Sequence, residues 1–206
     1  MPRNDAPDGT AGSERNQRKG RAHDVFPSSR ARHLDSRLRW ILYRPDRLAD
    51  RYIKPGDKIL DFGCGPGFFT REFAKNTGET GTVIAVDLQE EMLSLLMKNL
   101  EPEGLMPRIV THQCKPDSLG LSPEWDGRID VAFAIFVVHE VPDASKLFRE
   151  ISSLLVPRGL LFIAEPPFVV SGKEFRSTVE KAMDAGLAKV EDRLYFLNRA
   201  ALLRKP

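Results

Sequence analysis

The sequence has only two cysteines, Cys64 and Cys114, and they form no C-x-x-C pair. That excludes a disulfide framework and sets a reducing cytoplasm as the expected compartment. Long apolar runs are missing too. The longest, Val131 to Val138, falls far short of the ~20 residues that a membrane helix needs. The N-terminus lacks an apolar stretch, so no secretory signal is visible and none is expected, and Asp5, Asp8, Glu14 and Asp24 argue against an Arg-rich transit peptide. Net charge is small, +2 at pH 7. It is unevenly placed: residues 1–51 hold twelve Lys/Arg against seven Asp/Glu, net +5, which leaves net −3 for the rest. The basic segment has few aromatic residues and its acids interrupt its bases. It reads as a solvated tail rather than a nucleic-acid arm. No internal repeat is present.

What remains is the composition of a globular protein, 41% hydrophobic and 29% charged. A length of 206 residues suits one domain with a tail. Residues 1–30 are rich in Gly, Pro, Ser, Asn, Asp and Arg with almost no apolar periodicity, so the sequence predicts disorder there. A single domain over 31–206 follows, opening with a helical cap at about 31–54. In that cap Leu34, Leu38, Ile41 and Leu42 recur at helical spacing beside Trp40, and a second short helix holds Leu48, Ala49, Tyr52 and Ile53.

From Lys58 to Thr70 the chain reads K-I-L-D-F-G-C-G-P-G-F-F-T. A short apolar run ending near an acid predicts a buried parallel strand before a tight turn into a helix. Gly63, Gly65 and Gly67 let the backbone bend and approach a ligand without Cβ atoms in the way. The helix amides beyond them suit an anionic group. Twenty residues after Gly67, Asp87 ends a second apolar run, at the place where a carboxylate holds a nucleotide ribose. A dinucleotide fingerprint would need its third glycine at 68, where Phe68 stands.

Strands and helices then alternate. Strands are predicted at Lys58 to Phe62, Thr82 to Asp87, Arg108 to Gln113, Ile129 to Val137 and Leu160 to Glu165. Helices are predicted from Gly67 to about Asn76, after Gln89, after the cap Asp143 up to Gly159, and from about Lys173 to Ala185. Two further β-like runs fill Ala188 to Lys205. This is an α/β, Rossmann-like doubly wound sheet, mostly parallel, with helices on both faces.

The glycine triad with Asp61 resembles motif I of the class I S-adenosylmethionine-dependent methyltransferases. V-I-A-V-D-L-Q-E-E-M-L from Val83 resembles the second motif. I-D-V-A-F-A-I-F-V-V-H-E-V from Ile129 resembles the fourth-strand motif, and L-L-V-P-R-G-L-L-F-I-A-E-P from Leu154 the turn and fifth strand. The order holds from about Pro55 to the C-terminus, and it is this order, more than any one motif, that is specific.

The resemblance implies a methyltransferase with S-adenosylmethionine as cofactor, a small-molecule acceptor and an antiparallel C-terminal hairpin. It places Asp61 on the ligand's ammonium, directly or through water. Gly63, Cys64, Gly65 and Gly67 become the cofactor loop, Asp87 with Leu88 the ribose side, and Ala134 and Ile135 the strand end that presents a carbonyl. The adenine is read by Cys114, Lys115 or Asp117, or by backbone alone. His112 shares a strand face with Cys114, but two further metal ligands are not evident, so packing is the expected role. His139, at the mouth facing the transferable methyl, has a titration range suited to a general base; shaping the pocket is the equal alternative. Glu165 to Phe168 reaches the same mouth. Phe168, Phe136, Phe69 and Trp40 are candidates for an apolar acceptor wall. A nicotinamide-dependent oxidoreductase and a non-catalytic binding module are the competing readings.

Overall fold

A computed structural model describes residues 41–206. The predicted disordered segment at 1–30, and Leu34, Leu38 and Trp40 of the predicted cap, lie outside the described residues. Arg44, in the left-handed region at φ 43°, turns the chain into α1 (Pro45–Tyr52). Pro45 suits the first helical position, where an N–H would have no helical partner.

Seven strands form one sheet in the order β3-β2-β1-β4-β5-β7-β6. They are β1 (Lys58–Phe62), β2 (Thr82–Asp87), β3 (Ile109–Gln113), β4 (Ile129–Ile135), β5 (Leu155–Glu165), β6 (Ala188–Tyr195) and β7 (Asn198–Arg204). The first five run parallel. β7 is antiparallel to both β5 and β6, so the C-terminal hairpin closes the sheet with its last strand inserted against β5.

The helices are α2 (Thr70–Thr77), α3 (Glu90–Leu100), α4 (Ala144–Leu154) and α5 (Gly172–Asp184). Strand side chains alternate between faces. Leu60, Ile84, Ala132 and Leu161 pack with Leu147, Phe148, Ile151 and Phe175 of α4 and α5 on one face. Ile59, Val83, Phe133 and Phe162 pack with residues of α1, α2 and α3 on the other. Central strands buried on both faces explain why β2 and β4 are apolar almost throughout.

Several predicted boundaries move, the larger shifts each for a local reason. α2 begins at Thr70 rather than Gly67, because Gly67 sits at φ +92°, outside helical space. β4 ends at Ile135 rather than Val137, because Phe136 takes φ 61° and leaves the sheet. The helix predicted up to Gly159 stops at Leu154. Leu155 already pairs with Ile129, and residues 156–159 bulge before pairing resumes at Leu160.

Candidate functional site

All parallel strands end at one edge of the sheet, and the site is built there. After Phe62 the chain turns through Gly63, Gly65 and Gly67 at φ +73°, +53° and +92°. The N–H groups of Gly63 and Cys64 donate to the Val86 carbonyl at 2.8 and 3.0 Å, which ties the loop to the end of β2. A Cβ on Gly63 would lie 2.5 Å from Val137 Cγ2, and one on Gly67 3.0 Å from Leu96. Those two glycines let neighbours close in. A Cβ on Gly65 would meet nothing within 4 Å, and Gly65 borders an open cavity of about 370 Å³.

Asp87 sits on the wall of this cavity. Its Oδ2 accepts the Gly65 N–H at 2.9 Å, and its Oδ1 the Gln89 N–H at 2.9 Å. The carboxylate therefore ties down the glycine loop while also capping the approach to α3. Burial raises its pKa, and the backbone N–H groups oppose that rise. Asp61 lies behind the loop, 2% exposed, accepting the Thr70 hydroxyl at 2.6 Å. Burial pushes its pKa up to about 7; the Thr70 bond opposes the shift and the Asp87 charge adds to it.

Of the residues proposed from sequence for the cofactor, Gly63, Cys64, Gly65, Asp87, Leu88 and Cys114 lie on the cavity wall. Asp61, Gly67 and Ala134 do not. Of the two residues proposed for the end of β4, Ala134 is wholly buried inside the strand and Ile135 reaches the wall. Among the adenine candidates, Cys114 and Lys115 border the cavity. Asp117 stands away from it, 74% exposed, with Lys146 3.7 Å distant. Burial raises both thiol pKa values, that of Cys114 to about 11, so both are neutral thiols near neutral pH. His112 donates Nε2–H to the Leu119 carbonyl at 2.8 Å. No metal-holding cluster of His, Cys, Asp or Glu occurs among the described residues.

The other end of the cavity comes from the turns after β4 and β5. Phe136, in its left-handed conformation, donates its N–H to the Ala164 carbonyl at 2.8 Å. Its ring lies between Phe69, at 6.5 Å, and Tyr43, at 5.3 Å. The following 3₁₀ turn, Val138–Glu140, carries His139 onto the cavity wall. There Nδ1 is 2.6 Å from Glu165 Oε2, and the His139 backbone N–H donates to Oε1 of the same carboxylate at 3.2 Å. Burial opposes charge on the ring. The bond to Glu165 and the charges of Glu165 and Glu140 outweigh it, so the His139 pKa is raised.

Sequence reasoning placed Glu165 at the mouth but gave it no partner. The available signal was an acid closing β5 beside a strand whose exit loop carries a histidine. Phe69 and Phe136 line the cavity as expected, whereas Phe168 is 95% exposed and off its wall. Pro166 and Val169 take that place. Trp40 lies outside the described residues.

These residues fit S-adenosylmethionine. Gly65 leaves open space where a ligand's amino-acid end can approach backbone. Asp87 offers a buried carboxylate to ribose hydroxyls, and Leu88, Met92 and Cys114 give an apolar slot for a base.

A family model described as a methyltransferase domain matches residues 53–200. A demethylmenaquinone methyltransferase from Lactobacillus johnsonii is 35% identical over 113 residues, covering 55% of this chain and 45% of that protein. The ubiquinone/menaquinone biosynthesis C-methyltransferase UbiE of Idiomarina loihiensis is 29% identical over 157 residues, covering 73% and 61%. The chain spans about half the length of the curated relatives it matches. Among solved structures, a SAM-dependent methyltransferase from Aquifex aeolicus superposes with a TM-score of 0.79 at 24% identity, over 88% of this chain and 100% of that one, a likeness of fold. Because the family model spans most of the chain, the protein belongs to the methyltransferase-domain family, and its fold is shared with a SAM-dependent methyltransferase of known structure.

Proposed function

We propose that the chain methylates a small molecule with an apolar, ring-shaped body, of the quinone kind that its relatives' names carry, with His139 as the base. One observation carries this reading: His139 shares a cavity wall with the glycine loop and Asp87, and Phe136 and Val141 stand beside it. When bound, S-adenosylmethionine supplies an electrophilic methyl group. Asp87 holds the ribose, Gly63 and Gly65 receive the amino-acid end, and Leu88 and Cys114 flank the adenine. Asp61 supports the loop through Thr70. Apolar walls exclude water at the acceptor end, and His139 takes the proton that the acceptor gives up.

Residues 31–206 act in this reading as one methyltransferase domain in the cytoplasm, where Cys64 and Cys114 stay reduced. Its partner is a small molecule; neither a nucleic acid nor a membrane anchor is required. Among the described residues no helix is long and apolar enough to cross a membrane. The nicotinamide reading loses its remaining support because Phe68, at the third glycine position, is a buried ring packed edge-on to Phe69 at 5.0 Å.

Calorimetry tests the cofactor half of the proposal. S-adenosylhomocysteine should bind and NAD should not; NAD binding without S-adenosylhomocysteine binding would overturn it. For the acceptor, labelled methyl from S-adenosylmethionine should appear in reduced quinones lacking a ring methyl.

A further inference from the structure

Glu165 is the one buried acid of the site that the cofactor reading does not use. It closes β5, is 1% exposed, and both of its oxygens are engaged by a single residue 26 positions earlier in the chain. Oε2 meets the His139 ring at Nδ1 and Oε1 meets the His139 backbone N–H. A buried carboxylate needs such donors, and here one carboxylate holds both the turn and the ring that the turn carries.

We propose that Glu165 is the positioning residue of this site, locking the His139 imidazole with Nδ1–H toward the protein and leaving Nε2 as the proton-accepting atom. The inference rests on the proposed role of His139 as base. Its chemistry follows from the donor inventory: an ionised carboxylate only accepts, so the 2.6 Å contact requires a proton on Nδ1. In the neutral ring the lone pair then belongs to Nε2. The same contact favours the charged ring once Nε2 is protonated, in line with the raised pKa of His139.

The backbone shows how residues so far apart meet. β4 and β5 are neighbours, with Ile135 opposite Ala164. The left-handed turn at Phe136, anchored on the Ala164 carbonyl, swings the chain across the end of β5 and sets His139 over Glu165. Val137 can settle there because Gly63 has no Cβ to meet it.

Other titratable groups share the ring's surroundings. Glu140, on the same turn, has Oε1 3.9 Å from Nε2. Asp87, Lys115 and the thiols of Cys64 and Cys114 line the same cavity. Glu140 draws a proton toward Nε2, the opposite of what Glu165 imposes. The tautomer therefore reports which carboxylate governs the ring.

The experiment follows the ring nitrogens of His139 by ¹⁵N NMR in the full chain across the imidazole titration range, with His139→Gln assigning the signal among the four histidines. The neutral ring should be the Nδ1–H tautomer, and Glu165→Gln should lower the titration midpoint by removing the negative charge. A carboxylate that merely capped the 138–140 turn would leave the ring in the commoner Nε2–H form. A predominant Nε2–H tautomer in the unmodified protein, or an unchanged midpoint in Glu165→Gln, would overturn the assignment. If Glu165→Gln loses its fold, shown by loss of S-adenosylhomocysteine binding, the tautomer of the unmodified protein decides alone. No turnover is needed for this measurement. An Nδ1–H ring in a chain that transfers no methyl would uphold the grip of Glu165 and count against the proposed reaction instead.

Discussion

The two ends of the cavity are built by opposite strategies. The end proposed for the cofactor is local: β1, the glycine loop and the end of β2 lie within thirty residues, and their key contacts are backbone N–H groups reaching Val86 and Asp87. The end proposed for the acceptor is assembled from pieces distant in sequence. Phe136 meets Phe69 and Tyr43, and His139 meets Glu165, only because β4 and β5 deliver them to the same edge. A local end built on backbone geometry suits an invariant ligand. An end made of side chains on exit loops can change its acceptor without disturbing the first.

Five substitutions at four residues test this contrast. The largest effect belongs to the acceptor end. His139→Ala should lower turnover by roughly 10²–10⁴, the usual reach of general-base catalysis, with S-adenosylhomocysteine affinity unchanged by calorimetry. His139→Asn, which keeps a polar group but takes no proton near neutral pH, should fall equally; near-normal turnover in that variant would leave His139 only a shaping role.

Asp87→Ala is the counterpart at the other end. It should weaken S-adenosylhomocysteine binding by about 1.5–3 kcal/mol, the scale of hydrogen bonds to a charged group, and leave the domain folded. Its carboxylate also accepts the N–H groups of Gly65 and Gln89, so part of the loss should appear as loosening of the glycine loop in hydrogen exchange. Normal binding would place the ribose contact elsewhere.

The smallest effect lies where the two ends touch. Gly63→Ala would drive a methyl to within 2.5 Å of Val137, on the turn that carries His139. Overpacking of this kind costs about 1–3 kcal/mol, read as a lower melting temperature. Gly65→Ala, with nothing within 4 Å of its added methyl, carries only the left-handed backbone strain, roughly 1–2 kcal/mol, yet should obstruct the cofactor. Equal melting temperatures for the two variants would show that the ends are not coupled through Gly63.

Much of this molecule was set by short-range pattern. Apolar runs of strand length, separated by helical stripes, specify an alternating fold, because buried parallel strands admit few polar residues. The turn after β1 needs glycines at Gly63, Gly65 and Gly67 because all three adopt positive φ, and that need is visible in the residues themselves. The order of β7 within the sheet, the swing of the chain at Phe136 and the pairing of His139 with Glu165 left no such mark. Phe136 is not a residue type that favours positive φ; the Ala164 carbonyl and the flanking rings of Phe69 and Tyr43 hold it there. Phe168 and Val169 adjoin in sequence, yet only Val169 reaches the cavity, because the direction of a side chain leaving a strand end is decided by the loop around it. By itself the sequence determined the family, the sheet and the cofactor loop, all of which rest on local backbone requirements. The pairing of Glu165 with His139, and the rings that line the cavity beside them, came only with the tertiary structure, since those contacts join residues that strand adjacency, not chain adjacency, brings together.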